Sequence, residues 1–128
     1  MLLKYFATLI PFLVVDGFWL GFVAKKMYFS SLGHLLAEKP ALLPALIFYF
    51  LYPLGIVIFV LNPALETRQL ATALKLGAFL GFLAYATYDL TNNATLKGWP
   101  WHITIIDIIW GTFLTALVSG IAFLILSR

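Results

Sequence analysis

The sequence predicts an all-α fold: an integral membrane bundle of four transmembrane helices, forming a single domain over residues 1–128. Three observations carry this. Of 128 residues, 63% are hydrophobic and only 10% are charged, whereas a soluble domain carries roughly 25% charged residues. The apolar residues gather in four runs, each close to the about 20 residues that a helix needs to cross the hydrocarbon core. The connections between the runs are short, and no linker, low-complexity tract or second domain interrupts them.

The first helix is expected over about residues 2–24, interrupted only by Pro11 and Asp16. Lys4 followed by an apolar stretch also suits a cleaved signal peptide. Asp16 breaks that stretch, however, and no small-x-small site precedes Lys25-Lys26, so the segment reads as a retained helix. A short helix lying in the interface is expected over 28–37, because Tyr28, Leu32, Leu35 and Leu36 share one helical face.

The second helix is expected over about 41–61 and contains no charge. Asn62-Pro63 then reads as a cap followed by a first helical position. That places the third helix at about 63–91, with Glu66 and Arg68 in its wet first turns. The fourth helix is expected over about 101–126, with Asp107 near its start. Four passes put both termini on one face, side A, with Lys4, Arg68, Lys75 and Arg128. Side B holds Lys25, Lys26, Lys39 and Lys97. A tie of basic residues gives no orientation by the positive-inside rule.

Composition also excludes several classes. The formal charge of +3, from scattered basic residues, argues against nucleic acid as a partner. There is no cysteine, and the only histidines, His34 and His102, form no ligand-spaced pair, so no metal site is assigned. No HExxH, Gly-rich phosphate loop or nucleophile elbow is present. No cofactor and no catalytic residue are therefore assigned.

The acids fall in one half of the membrane. Asp16 lies eight residues before Ala24, roughly 12 Å below the side-B interface at the helical rise. Asp89 ends the third helix at side B, and Asp107 lies about one turn into the fourth. An intramembrane carboxylate costs roughly 2.5–3.5 kcal/mol to insert and is a functional candidate by default. The expected partners of Asp89 are Asn92, Asn93, Thr91 or Lys97. Asp16-Gly-Phe-Trp19 and Asp107-Ile-Ile-Trp110 share an Asp-x-x-Trp spacing that puts both side chains on one helix face. Tyr85, Tyr88, Asp89 and Asn92 form a polar-aromatic stripe on the third helix, and Tyr49, Tyr52 and Pro53 are further candidates from the second.

These residues define an expected ligand pocket in the side-B half, lined by Asp16, Trp19, Tyr85, Tyr88, Asp89, Asn92, Asp107 and Trp110. The bland alternative is that they hydrogen-bond helix to helix and hold the bundle together. Trp99 and Trp101 read as interfacial belt residues, and His34 and His102 as headgroup-level residues. Gly17-x-x-x-Gly21, Gly77-x-x-x-Gly81 and the ladder Gly111, Thr115, Ser119 supply close-approach surfaces for helix packing. The expected partners are the lipid bilayer and either a second copy in a homodimer or another membrane protein.

The string Tyr88-Asp89-Leu90-Thr91-Asn92, then Ala94-Thr95-Leu96-Lys97-Gly98-Trp99-Pro100, then Asp107 and Trp110-Gly111, resembles the small predicted bacterial membrane proteins of the domain of unknown function 2177 family. The resemblance covers the whole chain, including the Asp16-x-x-Trp19 pair. It implies a multi-pass protein of the bacterial cytoplasmic membrane with a lipid-facing role, and carries no catalytic residues with it. The leading functional expectation is a pocket that binds or transports a small cationic or amphipathic, lipid-like ligand. The alternatives are an accessory membrane subunit and a lipid-modifying membrane enzyme.

Overall fold

The computed structural model describes residues 1–128. It is 84% helix with no strand. In chain order, α1 (Leu2–Val23) leads into a short α2 (Lys25–Leu32), followed by α3 (Leu42–Thr67), α4 (Leu70–Thr95) and α5 (Trp101–Leu126). All but α2 are long and apolar enough to cross a membrane. The protein is thus an all-α, four-span membrane bundle.

Two helices change pitch part-way. The last five residues of α1, Trp19–Val23, and a central stretch of α3, Val57–Leu61, are π-helical. Such turns are rare and favour functional sites, because the wider turn re-aims the side chains it carries.

The π-helical stretch of α3 also explains where the sequence reading misses. Asn62-Pro63 does not restart a helix. Pro63 falls in the first turn of the α-helical segment Asn62–Thr67 that resumes after the π turn, so α3 runs through it. Asn62 makes no capping bond and instead accepts a 2.9 Å hydrogen bond from Lys4 Nζ on α1. The chain reverses at Arg68, which is left-handed at φ 57, and at extended Gln69. A left-handed residue past the last turn is a common way to end a helix. Glu66 therefore closes α3 rather than opening α4. Similarly, α2 begins at Lys25 and ends at Leu32, earlier than the expected 28–37.

The small residues sort into two groups. Gly77 and Gly81 of α4 press on Thr115 and Ser119 of α5, and Gly81 also meets the Gly111 carbonyl. A Cβ at Gly77 would stand 2.7 Å from Ser119 Oγ, and one at Gly111 would run into the Tyr85 ring. These contacts make α4 and α5 the most closely packed pair. Gly17 and Gly21, by contrast, have nothing within 4 Å of a built Cβ. They serve no contact inside the chain.

The apolar core fills the side-A half and the middle of the bundle. One cluster joins Val57, Leu61, Ala64, Ala73, Ala122 and Phe123, and a second joins Phe12, Ile56, Val60, Leu114 and Val118. The side-A half of α3 meets α4 and α5, whereas its side-B half packs chiefly on α1. The bundle is therefore closed toward side A and looser toward side B, where the acids lie.

Candidate functional site

Helical spacing of three places Asp16 and Trp19 on one face of α1, and Asp107 and Trp110 on one face of α5. The two helices run in opposite directions, so the pairs meet head to tail. The indoles of Trp19 and Trp110 stack at 4.3 Å between centroids and 8° between planes. Trp110 Nε1 donates to Asp16 Oδ1 at 3.1 Å, and Tyr49 OH donates to Asp16 Oδ2 at 2.8 Å. Trp19 Nε1 donates to Tyr28 OH at 3.2 Å, and Tyr28 OH donates to Asp107 Oδ1. Each tryptophan thus serves the aspartate of the other motif, Trp110 directly and Trp19 through Tyr28.

Asp89 is fully buried, and no N–H or O–H of the protein donates to either of its oxygens. Two of the four expected partners are engaged elsewhere. Thr91 Oγ1 donates to the carbonyls of Thr87 and Tyr88, and Asn93 Nδ2 donates to the Trp99 carbonyl at 3.1 Å. Its neighbour is another acid, Asp107 on α5, and both Asp89 oxygens remain without a hydrogen-bond partner.

A cavity of about 610 Å³ opens above these groups in the side-B half. Six of the eight residues expected to line a pocket do so: Asp16, Trp19, Tyr85, Tyr88, Asp107 and Trp110. Asp89 and Asn92 do not reach it. Asp89 is buried away from it, and Asn92 is not part of its wall. The only non-hydrophobic residues of the lining are Asp16 and Asp107. Phe48 on α3 and Tyr88 on α4 line the cavity while remaining 41% and 57% exposed, so its wall is open at the outer surface.

The structure adds lining residues that the sequence placed elsewhere. Tyr28 and Leu32 of α2, with Leu36 beyond it, close the side-B end of the cavity. Their shared face was legible, but it turns onto the protein rather than into headgroups. Trp99 also lines the cavity and donates to Thr104 Oγ1 at 3.1 Å, unlike the 64% exposed Trp101. Tyr49 enters the site, whereas Tyr52 pairs with Thr115 Oγ1 at 2.8 Å and lies outside it. The histidines hold α2 and its following loop in place: Ser31 Oγ pairs with His102 Nε2 at 2.8 Å, and His34 Nε2 with the Gly98 carbonyl at 3.0 Å. Burial and the hydrogen bond to Asp107 raise the Tyr28 phenol above its ordinary range, so it remains a donor.

Chemically the cavity offers carboxyl oxygens among aromatic faces. Asp16 takes its two hydrogen bonds from neutral donors, Asp107 takes one from a phenol, and neither meets a lysine or arginine among them. A carboxylate accepts up to about four hydrogen bonds, so both retain free lone pairs.

Residues 1–124 match the model of the family described as "Predicted membrane protein (DUF2177)". No curated protein and no solved structure matches the chain.

Proposed function

We propose that this chain, which belongs to the DUF2177 family of predicted membrane proteins, binds a small cationic or amphipathic ligand in the side-B half of a bacterial cytoplasmic membrane. The observation that carries the reading is the pairing of Asp16 and Asp107 in one aromatic cavity without a basic partner. Carboxyls in an apolar wall are costly to ionise, and a visiting cation is one way to offset that cost, protonation the other. The surrounding rings strengthen the preference, since each aromatic face contributes about 0.5–2 kcal/mol to a desolvated cation.

The packed side-A half favours a site entered and left from one side of the bundle, which makes binding the leading activity over passage across the membrane. The buried Asp89 beside Asp107, with neither oxygen hydrogen-bonded, favours a second reading, proton transfer to a bound hydrophobic substrate. The test is a titration of the protein in nanodiscs with tetramethylammonium, read by tryptophan fluorescence. Saturable quenching that disappears in Asp16→Asn supports the reading. A flat response in the wild type removes it.

A further inference from the structure

The outer face of α3 carries a feature that adjoins the acid-aromatic cavity at Phe48. Phe48 belongs to the cavity wall and also ends an apolar furrow of about 350 Å³. The rest of that furrow includes Leu51, Tyr52, Gly55, Ile58 and Phe59, all on α3. It exists because Gly55 has no side chain, and nothing stands within 4 Å of where its Cβ would be. Leu51 and Phe59 are 60% and 65% exposed and form raised edges. From Phe48 to Phe59 the helix rises about 16 Å, which suits one extended alkyl chain of middle length lying along the membrane normal. The Tyr52 hydroxyl is occupied by Thr115 and leaves the furrow apolar.

We propose that the site takes a single-chain cationic amphiphile, with its ammonium head in the cavity and its chain in the α3 furrow. This rests on the reading of the cavity as a cation site. The head must be cationic because the cavity lining contains two aspartates and no lysine or arginine. A phosphate-bearing headgroup would face carboxyls without a counter-charge. The occupant has one chain because the furrow is one side chain deep and is formed by a single helix. Furrow and cavity meet at the Phe48 ring, which lines both, so head and chain would lie on either side of one residue.

The test compares wild type, Gly55→Leu and Gly55→Ala in phosphatidylcholine nanodiscs, titrated with tetramethylammonium and with dodecyltrimethylammonium. Bulk lipid absorbs the long-chain compound equally in every disc, so differences between variants isolate the furrow. Gly55→Leu fills open space and leaves the bundle folded. Overpacking of the furrow is expected to weaken dodecyltrimethylammonium roughly tenfold while tetramethylammonium stays within about twofold, with Gly55→Ala in between. Equal affinities for the long-chain compound across the variants overturn the furrow and leave the cavity reading standing. Failure of both compounds to bind wild type overturns both. A change of oligomeric state in Gly55→Leu, without a change in chain-length preference, assigns the furrow to a second copy and overturns the amphiphile.

Discussion

Trp19 and Trp110 stack face to face at 4.3 Å, and their indole N–H groups reach the other motif's acid, Trp110 directly and Trp19 through the Tyr28 hydroxyl. The two Asp-x-x-Trp pairs are therefore interlocked. The stack fixes the register of α1 on α5, and that register points Asp16 and Asp107 into one cavity rather than to separate lipid faces.

The interlock predicts a measurable coupling. Trp110→Phe keeps a ring in the stack and deletes the donor to Asp16, which then relies on Tyr49 alone. The expected loss is about 1–3 kcal/mol, the cost of a charged acceptor losing a buried partner. A double-mutant cycle of Trp19→Ala and Trp110→Ala should give about 0.5–1.5 kcal/mol of coupling, the usual worth of an aromatic pair. Denaturant titration in mixed micelles measures it, and strictly additive losses would rule the interlock out.

The glycines separate cleanly. Gly77→Leu and Gly81→Leu drive a side chain into Thr115, Ser119 and the α5 backbone, so both should prevent a folded bundle. Gly17→Ala and Gly21→Ala meet open space and should leave stability unchanged, or raise it by up to about 1 kcal/mol through helix propensity. Thermal melting of the purified protein distinguishes the two groups. A severe loss for Gly17→Ala would mean that this stripe contacts something outside the chain.

Much of this organisation is written in local patterns. Apolar runs fix the four spans, and helical spacing fixes which side chains share a face, so both Asp-x-x-Trp pairs can be read directly. What depends on register between distant segments cannot. Gly17-x-x-x-Gly21 and Gly77-x-x-x-Gly81 are the same pattern, yet only the second meets a neighbouring helix. The apolar face of Tyr28, Leu32 and Leu36 would suit headgroups or protein equally, and only the fold turns it onto the cavity. Asn62-Pro63 has every mark of a helix start, but the π-helical turn before it lets the helix continue. The role of Asp89 is hidden because its neighbour, Asp107, lies on another helix.

The carboxyl pair makes a prediction of its own. Asp89 is buried with neither oxygen hydrogen-bonded, so Asp89→Asn, which keeps the side chain's shape and removes the ionisable group, should be as stable as wild type or more so. Asp89→Leu replaces an unpartnered buried polar group with an apolar one of similar size and should likewise be neutral or stabilising. Large losses in both variants, measured by chemical denaturation, would show that the bundle depends on the Asp89 charge.

Closure of the cavity by α2 should be loosened by one hydroxyl. Tyr28→Phe removes the bond to Asp107 and leaves Ser31–His102 and His34–Gly98 as the remaining polar ties. Amide exchange in α2 should accelerate in the variant while α4 and α5 stay protected. The pH dependence follows from the raised Tyr28 value. A phenol whose folded value lies above its unfolded value stabilises fully below the ordinary range near about 10 and loses that contribution only as pH rises beyond it. Wild-type α2 protection attributable to Tyr28 should therefore be constant from about pH 7 to 9. A Tyr28-dependent decline inside that window would contradict the assignment.

The last prediction separates function from architecture at Asp16. Asparagine keeps a carbonyl oxygen for one of the two donors, Tyr49 or Trp110, and presents an amide to the other. The fold should therefore survive with a loss of about 1–2 kcal/mol. The charge, however, is gone. For a cation about 5 Å away at a protein-like dielectric, that removes roughly 3 kcal/mol, or about a hundredfold in affinity. Asp16→Asn should thus melt near wild type and fail to bind tetramethylammonium. If it binds as wild type does, Asp16 is a fastener between α1, α3 and α5, and the cavity owes its selectivity to Asp107 alone.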